Sequence, residues 1–172
     1  MINSENLLSN LERSKLSLCR LVADYLLKKK LYLATAESCT GGLIAGACTD
    51  LSGSSQWFER GFVTYSNAAK TDMLGVDAAL IAQFGAVSEQ VAAAMALGAV
   101  KNSKAQVSVA VTGVAGPTGG SPEKPVGTVW ISWCVSGQTS TELHHFDGDR
   151  AMVRALTVQR ALQGLIQRLK KI

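Results

Sequence analysis

The chain has 172 residues, 47% of them hydrophobic and 17% charged, a balance that supports one packed core and excludes a disordered chain. Its formal net charge of +4 is unevenly spread: residues 1–30 carry six Lys/Arg against three Asp/Glu, residues 150–172 six against none, and residues 31–149 five against ten. No apolar run approaches the 18 residues of a membrane span, and Met1-Ile2-Asn3-Ser4-Glu5 lacks the basic flank and apolar core of a signal peptide. A single cytoplasmic domain over residues 1–172, with no membrane partner, is therefore expected.

In chain order, Asn3 or Ser4 can cap a helix within residues 4–30, whose Leu8, Leu11, Leu18, Val22 and Tyr25 keep helical spacing up to Lys28-Lys29-Lys30. Residues 31–35 read as a buried strand and 43–48 as a short helix, with 51–55 a loop and 60–65 a second strand. Two short helices over 68–74 and 77–84 follow, and Ser88 with Glu89 opens a longer, alanine-rich one carrying Val91, Met95, Gly98 and Ala99 on one face. Residues 106–111 form a third strand that runs into the glycine-rich stretch 112–120. A hairpin over 126–135 and 139–146 comes next, and Asp147-Gly148-Asp149 caps a last helix striped by Ala155, Val158, Leu162, Leu165 and Leu169. Alternating strands and helices followed by a hairpin predict a three-layer α/β/α sandwich around a mixed, largely parallel sheet, with a C-terminal hairpin and helix.

The chemistry is concentrated in Thr35-Ala36-Glu37-Ser38-Cys39-Thr40-Gly41-Gly42, which places a hydroxyl, a thiol and a carboxylate between a strand and a helix. A serine there stands beside the unpaired N–H groups of a helix start and can act as a nucleophile with oxyanion donors at hand. The plainer alternative is that Ser38 or Thr40 is an N-cap. Histidine is the usual base, but His144 and His145 are adjacent and alternate faces at the end of a strand. Lysine can replace it if kept neutral, which lowers its pKa by about 3 and costs roughly 4 kcal/mol. Lys70 suits that role, because it opens a helix directly after a strand, as Ser38 does; were the two strands parallel neighbours, both junctions would share one sheet edge. A solvated lysine in a first helical turn is the alternative. Cys19, Cys39, Cys48 and Cys134 lack metal-ligand spacing, so neither a zinc site nor a disulfide framework is expected.

The segments Ala34 to Gly42 and Gly53 to Lys70 resemble the CinA C-terminal domain family. The likeness continues through Phe84-Gly85-Ala86-Val87-Ser88, Thr112-Gly113-Val114-Ala115-Gly116-Pro117, Lys124-Pro125-Val126-Gly127-Thr128-Val129-Trp130 and Gly148-Asp149-Arg150. It covers about residues 20 to 168. Longer members carry an additional N-terminal domain of molybdopterin-binding type; this chain looks like a stand-alone member, a group that includes a nicotinamide-nucleotide amidase.

The resemblance implies hydrolysis of nicotinamide mononucleotide to nicotinic acid mononucleotide and ammonia, in pyridine nucleotide salvage. Ser38 would be the nucleophile, Lys70 its base and Tyr65 close enough to share or relay the proton. N–H groups around Thr40 and Gly41 would hold the oxyanion, and Glu37 and Asn67 would be orienting residues. The substrate phosphate would lie against the glycine-rich stretch, from Thr112 and Gly113 onward, and Arg150 at the start of the last helix. No metal or organic cofactor is required, and a homodimer or higher homo-oligomer is implied. A catalytically silent paralogue that binds nucleotides or a protein and regulates competence or the DNA-damage response is the alternative. Nucleic acid is not an expected partner, since the basic terminal helices lack interleaved aromatics or a binding motif.

Overall fold

The computed structural model describes residues 4–172, with side chains from Ser9 onward. The cap expected at Asn3 or Ser4 and the side chain of Leu8 lie outside the described residues. Helix α1 (Ser4–Lys29) leads into β1 (Leu33–Glu37), α2 (Leu43–Thr49), a 3-10 turn at Ser54–Gln56 and β2 (Phe58–Val63). Helices α3 (Asn67–Leu74), α4 (Ala78–Phe84) and α5 (Glu89–Lys101) come next. Then follow β3 (Val107–Gly113), the hairpin β4 (Thr128–Val135) and β5 (Gln138–His145), and α6 (Arg150–Leu169).

The first strand begins at Leu33 rather than residue 31 because α1 closes over the intervening residues. Lys30 adopts φ 55°, its N–H donates to Leu27 O at 3.1 Å, and the N–H of Leu31 donates to Leu26 O at 2.9 Å. This paired closure keeps Leu31 with the helix end.

The five strands are ordered β2-β1-β3-β4-β5. The first three are mutually parallel and the hairpin is antiparallel. Parallel strands buried on both faces read as largely apolar runs, and β3 does so apart from Ser108 and Thr112. Val107, Val109 and Val111 enter one cluster with Cys19, Val22 and Leu26 of α1, Ile44 of α2 and Leu162 and Leu165 of α6. Ala110 enters the other, with Leu74, Ile81, Val91, Met95 and Ala99 of the remaining helices. These two clusters make the three-layer sandwich, and each fully buried Leu, Ile or Val in them contributes roughly 1.5–3 kcal/mol.

Most of the small residues of the alanine-rich helix α5 pack inside the molecule. Ala92, Ala96 and Ala99 are buried, Ser108 of β3 donates to Ala96 O at 2.6 Å, and a Cβ on Gly98 would overlap the Leu74 carbonyl. Small side chains let the helix approach the sheet closely, so its apolar face is spent inside the molecule.

Parallel β1, β2 and β3 all end at one edge, where β4 starts and β5 delivers the chain to α6. That edge therefore gathers Ser38, Tyr65, the stretch after Gly113 and Arg150 from four separate parts of the sequence. Crevices outside the carboxyl ends of parallel strands are the usual ligand sites of α/β sheets.

Candidate active site

The Ser38 turn is held by the residue before it. Glu37 is fully buried, and its carboxylate accepts from the Thr40 hydroxyl at 2.6 Å and from the backbone N–H groups of Gly42 at 3.1 Å, Ile44 at 2.9 Å and Ala45 at 2.8 Å. It thus satisfies the start of α2, whose N-cap, Gly42, has no side chain to do so. Neither Ser38 nor Thr40 caps the helix, so the plain N-cap reading fails. The turn itself is closed by the Gly41 N–H on Ser38 O at 3.0 Å and tied to the sheet by the Ser38 N–H on Val111 O at 3.1 Å.

Ser66 caps α3 by accepting from the Ala69 N–H at 3.0 Å, which sets Lys70 in the first full turn. The Lys70 side chain runs inward and is 1% exposed. Its Nζ lies 3.1 Å from Ser38 Oγ and donates to Thr64 O at 2.9 Å. Burial pushes its pKa down, with the Cys39 thiol a smaller opposing influence. No carboxylate forms an ion pair with it among the described residues. Glu37, whose acceptors are taken by the turn and α2, does not bond to Lys70. The arrangement can supply a hydroxyl and an amine biased toward its neutral form, in hydrogen-bond contact.

Cys39 offers no competing nucleophile. Burial pushes its thiol up to about 12, so it stays protonated at neutral pH.

Ser38 and Lys70 open onto a cleft of about 210 Å³ that also takes in Tyr65, Asn67, Val87, Thr112, Gly113 and Arg150. Arg150 spans it: Nη1 donates to Gly116 O at 2.8 Å and Nη2 to the Tyr65 hydroxyl at 2.9 Å. Tyr65 thus faces the cleft with its hydroxyl engaged by Arg150 rather than by Ser38 or Lys70. The Thr112 hydroxyl donates to Ala86 O at 2.8 Å, and Gly113 is paired with Val129 in the sheet. Within the stretch expected to hold phosphate, the Val114 N–H donates to Thr128 O at 2.9 Å, so that donor is already committed.

Of the two backbone donors expected for an oxyanion, the Gly41 N–H is occupied by Ser38 O, whereas the Thr40 N–H has no partner among the described residues. Two participants were not foreseen from the sequence. The Thr64 carbonyl fixes the Lys70 amine, and Arg154 of α6 donates from Nη2 to Thr40 O at 2.9 Å, bracing the turn from outside. Arg154 lies one helical turn after Arg150, and that spacing was its only readable signal. Among the described residues no His/Cys/Asp/Glu cluster could hold a metal, and no helix is long and apolar enough to cross a membrane.

A parallel-edged α/β/α sandwich with a serine and a buried lysine at the strand ends defines a class of small-molecule-site domains rather than a binding scaffold of helices. The chain belongs to the CinA family, whose C-terminal domain model matches residues 15–169. It is 54% identical over 146 residues to nicotinamide-nucleotide amidohydrolase PncC of Pseudomonas putida, covering 85% of this chain and 91% of that one. It is 52% identical over 156 residues to a CinA-like protein of Akkermansia muciniphila, covering 90% of this chain but 38% of that longer protein. Among solved structures, the competence/damage inducible protein CihA from Agrobacterium tumefaciens superposes with a TM-score of 0.86 at 48% identity, over 91% of this chain and 96% of that one.

Proposed function

We propose that the protein is an amidohydrolase that converts nicotinamide mononucleotide to nicotinic acid mononucleotide and ammonia. The observation that carries this reading is the contact between Lys70 Nζ and Ser38 Oγ, 3.1 Å, with the amine buried and unpaired by any carboxylate among the described residues. The likeness to PncC proteins supports the amide substrate.

In the proposed reaction Ser38 Oγ attacks the carboxamide carbon while its proton passes to neutral Lys70. Thr40 N–H is the best-placed backbone donor for the oxyanion, since Gly41 N–H is committed to the turn. The Lys70 ammonium then gives its proton to the departing nitrogen, ammonia leaves, and the nicotinate stays as an ester on Ser38. Water attacks that ester with Lys70 again as base, and the acid product and the serine hydroxyl are released. Tyr65, which lines the same cleft, shares or relays the proton once substrate displaces its hydroxyl from Arg150, and Asn67 orients the ring end of the substrate. Arg150 and backbone N–H groups beyond Thr112 and Gly113 hold the phosphate. The hydroxyl, amine and backbone donors supply nucleophile, base and oxyanion site, so the scheme calls on no metal or organic cofactor.

The same reading places the protein in the cytoplasm, in pyridine nucleotide salvage, as a homo-oligomer. Val63, Tyr65 and Met73, each 41% exposed or more, support a subunit contact on the β2 side of the cleft. Ammonia release from nicotinamide mononucleotide by the purified protein tests the activity. Turnover of this nucleotide but not of free nicotinamide is expected, and no turnover of either would overturn the reading.

A further inference from the structure

Between α1, α2 and α6 lies a second cavity, of about 260 Å³, that shares no residue with the catalytic cleft. Leu11, Leu43, Ala155 and Val158 give it apolar walls, and Lys15, Glu12 and Arg154 bring charge. Lys15 and Glu12 are paired with each other. Arg154 is the unusual member. Its Nη2 is committed to Thr40 O, yet its Nε is buried and has no hydrogen-bond partner among the described residues.

A buried donor without an acceptor costs about 1–3 kcal/mol, and such groups in native proteins generally have a partner when the molecule is fully assembled. The cavity is open to solvent, since its wall residue Leu43 is 39% exposed, and water gains little from the apolar walls. What suits both features at once is an acceptor with negative charge attached to an apolar body. A carboxylate matches the guanidinium fork, and an aryl or short alkyl group matches the leucine and valine walls.

We propose that this cavity is a binding site for a small organic carboxylate, held through its charged group by Arg154 and through its apolar body by Leu11, Leu43 and Val158. The site is separate from the catalytic cleft but joined to it by one side chain, because the guanidinium that takes the ligand also braces Thr40 in the Ser38 turn. The assignment rests on the cavity and Arg154 alone and holds whatever reaction Ser38 performs.

Methyl-labelled protein titrated with benzoate, followed by NMR, tests this directly, with benzyl alcohol as the uncharged counterpart. Saturable shifts of the Leu11, Leu43 and Val158 methyls are expected with benzoate. The affinity should fall at least tenfold for benzyl alcohol, for Arg154→Gln, and for Ala155→Phe, which fills the cavity. Unchanged methyl spectra elsewhere in Ala155→Phe serve as the fold control. The proposal is overturned if no saturable shift occurs, if benzyl alcohol binds as well as benzoate, or if the shifts fall on Val87 in the catalytic cleft instead.

Discussion

Lys70 Nζ stands 3.1 Å from Ser38 Oγ with the Thr64 carbonyl as its only other hydrogen-bond partner among the described residues. A carbonyl fixes the amine's position without the full charge of a carboxylate, which would hold it protonated. Because burial lowers the Lys70 pKa from its ordinary 10.5, kcat/KM should rise with pH through a group titrating below that value. Lys70→Arg, which fixes the charge, should lose about 10²–10⁴ in rate with no such rise. A flat profile in the wild type would contradict a lysine base.

The same burial has a stability consequence of definite sign. In the interval between the lowered pKa and 10.5, the unfolded chain binds a proton that the folded one does not, so stability increases with pH across it and is smaller below it. Lys70→Met, which keeps the length and removes the charge, should stabilise the fold at pH 7 by ~1 kcal/mol while abolishing activity. Calorimetric melting of the two proteins at pH 7 and pH 10 measures this, and the gap should narrow at the higher pH.

Glu37 is expected to matter for the turn rather than for proton transfer. Removing its carboxylate leaves the Thr40 hydroxyl and the N–H groups of Gly42, Ile44 and Ala45 without their acceptor. Each unsatisfied buried donor costs about 1–3 kcal/mol, partly relieved by water. Glu37→Ala should therefore cost ~3 kcal/mol in denaturant unfolding, and Glu37→Gln, which retains one acceptor oxygen, less.

A second charged cluster contributes to the acid sensitivity of the fold. Burial acts to raise the Glu142 pKa, but hydrogen bonds from Arg160, Arg168 and His144 outweigh it and bring the carboxyl to about 2. Arg168 also lies 3.7 Å over the Trp133 ring, tying the cluster to the core. The stabilisation is present above the ordinary carboxyl value of 4.5 and is lost as pH falls from there toward 2. Glu142→Gln should lower the melting temperature at pH 7, and its difference from the wild type should shrink toward pH 2.

The sequence disclosed the layer order, the strand-to-helix position of Ser38 and the candidacy of Lys70, because strand and helix periods, caps and turn glycines are local signals. Family likeness turned those candidates into a pair. What stayed hidden depends on folding back in space. Glu37 reads as an orienting residue, but what it orients is not local: α2 begins six residues later, and N–H groups at its start claim the carboxylate. Arg154 is 114 residues from Thr40, and no local pattern announces which carbonyl it will reach. The alanines of α5 are legible as composition, which does not say which surface covers them; the sheet does.

The most direct trial of the central claim compares ammonia release from nicotinamide mononucleotide by the wild type, Ser38→Ala, Lys70→Ala and the double variant. Members of one nucleophile–base unit fail together, so each single substitution should lower kcat by about 10³ or more and the double variant should be no worse than either. Wild-type turnover by Ser38→Ala would contradict the account.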